Sequence, residues 1–333
     1  MTTTAGIALD VQQLRTITQF AALAPSVHNT QPWRFTADGH TLEVRADMER
    51  MLQVLDPTAR QLHISCGIAI EFARLAVRAL GYDVVVRLMP EPDGDPTLLA
   101  TLTVGHAMSA TASERRCIDA IPRRYTDRGP YDATSIPVHV LNHIRDAAAD
   151  RGCWLRVLDR PGDRATVAML LAEAEEIERA DDAYRDELAA WRRTGSAADG
   201  VPVQAARPWD DGIVSDVPLR DFVGAGGQPT PGEVDAPPSV ERDTLVLIGS
   251  DDDTPVGWLR TGRALALVLL SLTDAGLTSQ PLGPVVDVPA TRGRLQRALG
   301  LLGHPQLLLR IGYGHRAPST GRRDIDDLLT VTA

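Results

Sequence analysis

The chain has 333 residues, enough for two domains of ordinary size or for one large domain with a substantial core. Its composition, 44% hydrophobic and 23% charged, is that of a globular protein and excludes a disordered, collagen-like or coiled-coil chain. With 34 basic and 44 acidic residues the formal net charge is −10, which argues against a general nucleic-acid or anionic-membrane surface. An anionic ligand therefore needs a local cluster of arginines.

The cysteines and the N-terminus indicate the cellular compartment. Cys66, Cys117 and Cys153 are odd in number and far apart, so neither a disulfide framework nor a zinc site of closely spaced ligands is indicated. Residues 1–10 have no basic segment ahead of an apolar core, and no uninterrupted apolar run reaches the ~18 residues that a bilayer span needs. A cytoplasmic protein is expected, with neither secretion nor membrane insertion.

The elements of the first part of the chain follow from apolar periodicity and turn residues. The longest, at residues 58–80, is apolar on most of its circumference, which is typical of an interior helix. In chain order the sequence predicts a helix at 11–24, a hairpin of strands at 33–35 and 41–45, the helix at 58–80, and strands at 83–89 and 98–104.

The second part contains another mostly apolar helix, at residues 257–276, and a stretch at about 195–239 that is rich in Gly, Pro and Asp. A structureless connection of that length is usually a functional lid or disordered, and both readings stay open. In chain order the sequence predicts helices at 113–121 and 138–151, a strand at 154–158, a long charged helix at about 164–191, a strand at 244–248, the helix at 257–276, a helix at 290–301 and a strand at 306–311.

Two pairs of glycines indicate a weak internal repeat. The same separation of 195 positions relates Gly67 to Gly262 and Gly81 to Gly276, and each half of the repeat contains one interior helix. Each interior helix needs a partner for its second face, and the simplest partner is the other one.

A polar loop at residues 24–33, with the sequence Ala-Pro-Ser-Val-His-Asn-Thr-Gln-Pro-Trp, follows the first helix. It crowds short hydrogen-bonding side chains between two prolines, so it presents donors and acceptors on a stiff backbone. The alternative is a capped turn that satisfies helix-end carbonyls, and His28 taken alone is more often a hydrogen-bonding loop residue than a catalyst.

Two short segments concentrate arginine in this acidic chain: a basic loop at residues 123–128, Arg-Arg-Tyr-Thr-Asp-Arg, and the stretch at 316–323. Guanidinium groups with a hydroxyl suit a phosphate dianion, although a solvated basic run has the same composition. Residues 277–283, directly after the second interior helix, form a polar loop suited to the rim of a planar ring, or an ordinary helix-to-strand connection.

With these segments the chain resembles the nitroreductase superfamily of flavin mononucleotide (FMN) proteins and, within it, the Acg-like subfamily. The polar loop is similar to the Pro-Ser-x-x-Asn-x-Gln-Pro-Trp element of the superfamily, and residues 124–128 match its Arg-x-Ser/Thr-x-Lys/Arg phosphate-binding element. The resemblance covers most of the chain. It implies an α+β, nitroreductase-like fold with two internally duplicated halves, residues 1–110 and 111–333, that form a pseudo-dimer in one chain, with a lid-like insertion at about 195–239.

The resemblance also implies one FMN per chain, held between the two halves, and neither a catalytic side chain nor a metal, because the chemistry belongs mainly to the cofactor. The implied ligands are Arg124, Thr126 and Arg128 for the phosphate, with help from Arg316, Arg322 or Arg323; Ser26, His28, Asn29 and Gln31 for the isoalloxazine or ribityl chain; and Gln280, Pro281 and Leu282 for the edge of the ring.

Two functions from different classes are compatible with this resemblance. The first is a flavin oxidoreductase that takes hydride from NAD(P)H and reduces nitroaromatic or quinone-type acceptors. The second is an FMN-sequestering or storage protein without turnover, in a subfamily linked to dormancy, with Trp209 or Phe222 of the insertion capping the ring. The length of the insertion favours the second. A monomer suffices in either case, and no P-loop, nucleophile elbow, zincin or Rossmann motif competes.

Overall fold

The computed structural model describes residues 8–129, 131–195, 197–202, 244–314 and 320–332. The described part contains helices and mainly antiparallel sheets, so it has the predicted α+β architecture. The helices are α1 (Val11–Ala22), α2 (Arg60–Ala79), α3 (Ala112–Ala120), α4 (Val138–Ala149), α5 (Pro161–Ala180), α6 (Asp182–Ala190), α7 (Pro255–Asp274), α8 (Pro284–Asp287), α9 (Pro289–Ala298) and α10 (Ile325–Leu328). The strands are β1 (Trp33–Ala37), β2 (Thr41–Ala46), β3 (Tyr82–Leu88), β4 (Leu98–Ala107), β5 (Cys153–Val157), β6 (Arg192–Arg193), β7 (Val201–Pro202), β8 (Thr244–Ser250), β9 (Thr278–Pro281), β10 (His304–Gly312) and β11 (Leu329–Val331).

The strands form two larger sheets and one two-stranded ribbon. The first sheet has the order β11-β1-β2-β4-β3, and the predicted hairpin is its antiparallel β1–β2 pair, with Trp33 opposite Ala46. The second has the order β5-β8-β10-β9, and β6 pairs with β7. Because β11 lies parallel to β1, the end of the chain returns to the sheet of the first part. The boundary between residues 110 and 111 stays a prediction.

The two interior helices, α2 and α7, pack against each other in the core, as the sequence predicts. They meet at Gly67 and Gly262: a Cβ on Gly67 would lie 2.9 Å from Cα of Gly262, and a Cβ on Gly262 would overlap the carbonyl oxygen of Ile64. Only glycine permits such a close approach of two backbones. By length and hydropathy α7 would also suit a membrane span, but 72% of that stretch is buried inside the protein, and its packing explains its apolar surface.

One buried carboxylate ties this helical layer to its surroundings. The Glu71 side chain on α2 is fully buried and bonds to Arg74 at 2.7 Å, to Arg151 at 2.7 Å and to Arg263 at 2.8 Å. Burial acts to raise the pKa of Glu71, but the charges of Arg74 and Arg263, with the bond and charge of Arg151, outweigh it and lower the pKa to about 2. The group is therefore a charged cross-link between α2, the turn after α4, and α7.

Two predicted elements differ from the structure. The single helix at 164–191 is wrong: the chain breaks at Asp181, whose extended backbone (φ −87°, ψ 113°) begins α6 and whose carboxylate accepts from the N–H of Ala183 at 2.9 Å. The loop at 277–283 is also wrong in its first part, because Thr278–Pro281 pairs with β10 as β9. All three cysteines are buried and free. Trp209, Phe222 and most of the insertion at 195–239 lie outside the described residues.

Candidate functional site

A cavity of about 150 Å³ lies where segments distant in the sequence meet. It is bounded by the polar loop, the basic loop, a strap that we define as residues 197–202, and a tail segment that we define as residues 320–323. Both chemistry-bearing loops of the sequence therefore face one cavity. Its lining residues are Leu23, Pro25, Ser26, His28, Asn29, Ile121, Pro122, Arg124, Tyr125, Thr126, Arg128, Gly200, Val201, Thr320 and Arg322.

The backbone of the polar loop is strained. His28, Asn29 and Gln31 have φ angles of 49°, 54° and 50°, and they are three of the five described non-glycine residues in this left-handed region. Each such residue costs on the order of 1–3 kcal/mol and persists only where the surroundings impose it. Here the Gln31 N–H donates to Ser26 Oγ at 2.8 Å, and the Asn29 N–H donates to the Ser26 carbonyl at 3.0 Å. Concentrated strain of this kind is typical of a functional site.

The side-chain amides of the polar loop bind other segments of the chain. Asn29 Nδ2 donates to the Gly321 carbonyl at 3.2 Å, and Asn29 Oδ1 accepts from Arg322 at 3.2 Å. Gln31 is fully buried, and it bonds to the main chain of Ala198 and of Arg323. The polar loop thus holds the strap and the tail segment in place. Asn29 also lines the cavity, whereas Gln31 does not.

The basic loop is fixed mainly by its backbone. The Arg124 N–H donates to the Ala120 carbonyl at 3.0 Å, which continues the end of α3. The Asp127 N–H donates to the Ser279 carbonyl at 3.3 Å, and Thr278 Oγ1 donates to the Tyr125 carbonyl at 3.3 Å. Strand β9 therefore supports the basic loop from behind. The residues of the loop that line the cavity are Arg124, Tyr125, Thr126 and Arg128.

Two guanidinium groups in the cavity lack a counter-charge among the residues that the structure describes. Arg124 Nε and Arg322 Nε are buried there without a hydrogen-bond partner. The other two nitrogens of Arg322 donate to neutral oxygens of the polar loop, of the tail segment and of Leu23. Burial, with the neighbouring charge of Arg322, lowers the pKa of Arg124 to about 9. Burial also lowers the pKa of Arg322 to about 10. Because arginine stays charged in proteins, two buried positive charges side by side form a site for an anion.

The other sequence-predicted residues occupy different places. Ser26, His28, Thr126 and Arg128 line the cavity. Arg323 donates to Asp47 Oδ2 at 3.2 Å and to two carbonyls of the polar loop, and its contact with a cofactor stays a prediction.

The predicted ring-edge residues do not line the cavity. Gln280 is buried, and its Oε1 has no hydrogen-bond partner among the described residues. Pro281 is exposed, and Leu282 packs in a hydrophobic cluster with residues of α5, α8 and α9. Arg316 lies outside the described residues. For all of these residues, contact with a cofactor stays a prediction.

Sequence reasoning did not single out Gly200, Val201 or Thr320, although Gly200 and Val201 lie in the insertion at about 195–239 that was expected as a lid. Thr320 belongs to the arginine-rich stretch at 316–323, which is the one signal that points to it. A larger cavity, of about 810 Å³, is lined by residues 131–136, by the first turn of α5 and by the ends of β5, β8 and β10. It contains no residue of the polar loop or the basic loop.

Comparison with known proteins identifies the class. The chain is 32% identical over 330 residues to "Putative NAD(P)H nitroreductase Rv3131" of Mycobacterium tuberculosis, with 96% of this chain and 92% of the relative covered. It is 29% identical over 332 residues to "Putative NAD(P)H nitroreductase acg" of the same organism, with 96% of each chain covered. The chain belongs to the nitroreductase superfamily, in its Acg-like group, which confirms the resemblance. No family model matches the chain.

A solved structure supports the fold independently. The crystal structure of "a putative nitroreductase" from Anabaena variabilis aligns with 91% of this chain and 88% of its own, with a TM-score of 0.53 and 9% sequence identity. At that identity the likeness concerns the fold alone. The predicted nitroreductase-like α+β fold is confirmed.

Proposed function

We propose that this chain binds FMN in the Arg124 cavity and is an NAD(P)H-dependent flavin oxidoreductase that reduces nitro- or quinone-type acceptors. The observation that carries the proposal is the pair of buried guanidiniums, Arg124 and Arg322, without a counter-charge among the described residues. Membership of the nitroreductase superfamily supports a flavin phosphate as the anionic ligand, and the names of the relatives support NAD(P)H as the hydride donor.

The residues of the cavity fit FMN in their chemistry. Arg124 and Arg322 would hold the phosphate dianion, with the hydroxyl of Thr126 and the guanidinium of Arg128 beside them. Each charge-assisted hydrogen bond of this kind contributes about 1.5–3 kcal/mol. The remaining lining includes Leu23, Ile121 and other apolar residues, which suit an aromatic ring system.

When bound, FMN supplies two-electron transfer between a donor and an acceptor. The protein's own part is to bind, to orient and to exclude water. The basic loop, which β9 supports from behind, would hold the phosphate, the polar loop contributes His28 and Asn29 to the lining, and Gly200 and Val201 of the strap complete the wall. No proton transfer by a side chain is required of this arrangement.

The proposal is tested by the absorption spectrum of the purified full chain and by titration with FMN. A flavin spectrum, or stoichiometric uptake of added FMN, is expected. Anaerobic mixing of the holoprotein with NADPH is then expected to bleach the flavin band, and a nitroaromatic compound or a quinone to restore it. A protein that is colourless as purified and takes up no added FMN would refute FMN binding.

A second function, FMN sequestration without turnover, is favoured by one observation. The strap lines the cavity and is bonded to the polar loop, so it would restrict the access of a donor or an acceptor to a ligand bound there. In this case the holoprotein retains FMN tightly, but the flavin band does not bleach with NADPH. The same anaerobic experiment therefore separates the two functions.

A further inference from the structure

Gln31 binds both the strap and the tail segment, two of the segments that bound the cavity. Its Nε2 donates to the Ala198 carbonyl at 2.8 Å and to the Asn29 carbonyl at 3.3 Å, and its Oε1 accepts from the Arg323 N–H at 2.9 Å. The side chain is fully buried. The nitrogen and the oxygen of this side-chain amide thus bind main-chain groups of two segments that lie far away in the sequence.

The strap is anchored at a second point by the side chain of Asp199. Its carboxylate accepts from Arg50 at 2.8 Å and from Arg193 at 3.0 Å, and the Trp191 ring lies 5.6 Å from each of these two guanidinium carbons. The Gly200 N–H also donates to the Asn29 carbonyl at 3.4 Å. The Asp199 ion pairs are partly exposed, and Val201 pairs with Arg192 of β6, so Gln31 is the buried side chain that anchors the strap at Ala198.

The strap and the tail segment are in direct contact above Gln31. A Cβ on Gly321 would overlap the carbonyl oxygen of Ala197 and would lie 3.0 Å from Cα of Ala198. The tail segment contributes Thr320 and Arg322 to the cavity, and the strap contributes Gly200 and Val201. The two segments that carry these lining residues are therefore both bonded to one amide.

We propose that Gln31 is a positioning residue whose side-chain amide joins the strap to the tail segment across the Arg124 cavity and thereby slows the release of the bound ligand. This role needs a donor and an acceptor at the two ends of one group. Glutamine provides both, whereas an ionised carboxylate provides acceptors only and a thioether provides no donor and only a weak acceptor. The identity of the ligand as FMN rests on the proposed function; the coupling of the two segments does not.

Two variants of the full chain separate the two ends of the amide. Gln31→Glu keeps an oxygen for the Arg323 N–H and removes the donor to Ala198, whereas Gln31→Met removes both. Gln12→Glu, at an exposed position on α1, is the matched control. FMN release from each holoprotein is followed by the recovery of flavin fluorescence after dilution. Both Gln31 variants are expected to release FMN at least about tenfold faster, the effect of one lost buried hydrogen bond.

Amide hydrogen exchange of the ligand-free chains tests the coupling without FMN. Gln31→Glu is expected to speed exchange in the strap more than in the tail segment, and Gln31→Met in both, while α4 stays as protected as in the parent chain. The proposal is overturned if exchange in the strap of Gln31→Glu is as slow as in the parent chain, or if α4 loses as much protection as the strap. Should the parent chain take up no FMN, the proposed function fails, and the exchange pattern still decides the role of Gln31.

A variant away from the buried amide covers the case in which neither Gln31 variant folds. Asp199→Asn weakens the other anchor of the strap at a partly exposed site. Faster FMN release and faster exchange confined to the strap are expected from it. Release and exchange identical to those of the parent chain would contradict the control of ligand release by the strap.

Discussion

Replacing Arg124 by alanine gives the most direct test of the anion site. The guanidinium is buried beside Arg322 and has no counter-charge among the described residues, and its pKa is lowered to about 9. In the ligand-free chain this charge is therefore unfavourable, and in the FMN complex it would pair with the phosphate. Arg124→Ala is expected to leave the ligand-free protein as stable as the parent or slightly more so, while weakening FMN binding.

The size of the effect follows from the interaction removed. A charge-assisted hydrogen bond contributes about 1.5–3 kcal/mol, and about 1.4 kcal/mol changes a dissociation constant tenfold. The Kd for FMN should therefore rise roughly 10- to 150-fold. Riboflavin has the same ring and no phosphate, so its much weaker affinity should hardly change.

The assay is a titration of FMN and of riboflavin into parent and variant chains, followed by flavin fluorescence, with thermal unfolding of the ligand-free proteins alongside. Arg179→Ala is the control, because Arg179 lies exposed on α5 and its guanidinium pairs with Glu176 at 2.7 Å, away from the cavity. Equal losses of FMN affinity in the two variants, or an equal loss of FMN and riboflavin affinity in Arg124→Ala, would refute the phosphate assignment.

Three further changes probe the site and the core. Arg322→Ala should weaken FMN binding in isothermal titrations. The double variant with Arg124→Ala should lose less binding free energy than the sum of the two single losses, because both groups face one anion. Strict additivity of the two losses would argue for separate sites. Gly262→Ala should lower the free energy of unfolding in urea by about 1–3 kcal/mol, since the added methyl overlaps the Ile64 carbonyl. Gly162→Ala, whose added methyl meets nothing within 4 Å, should leave it unchanged. Similar urea midpoints for the two variants would contradict the close helix contact. Glu71→Gln should cost about 3–5 kcal/mol at pH 7, because it removes the carboxylate that pairs with Arg151 and Arg263, whereas Arg74 keeps Glu114. The folded-state pKa of Glu71 is lowered from 4.5 to about 2, so the stability that its charge contributes is present above pH 4.5 and is lost as the pH falls toward 2. In urea unfolding at pH 3–7, Glu71→Gln should lack this part of the loss of stability in acid. The same pH dependence in the variant and the parent chain would show that the group contributes little.

The sequence by itself determined the elements whose cause is local. The apolar stripes of α1, α2 and α7 and the turn before Thr41 are readable from neighbouring residues, and they agree with the structure within a few positions. The contact between α2 and α7 was also predictable, because two helices that are apolar on most of their surface must cover each other, and Gly67 and Gly262 mark the crossing. The polar loop and the basic loop were found because their chemistry lies within a few consecutive residues.

Only the tertiary structure decided where the side chains of those loops are directed. Gln31 bonds to the main chain at residues 198 and 323, and residues 278–281 join β10 instead of forming a loop. These partners lie far apart in the sequence, and no local pattern distinguishes an amide that binds a ligand from one that binds a distant carbonyl. The choice depends on which segments the chain topology brings within about 3 Å, since a hydrogen bond is effective only at that range, and this distance is set by the packing of the whole molecule.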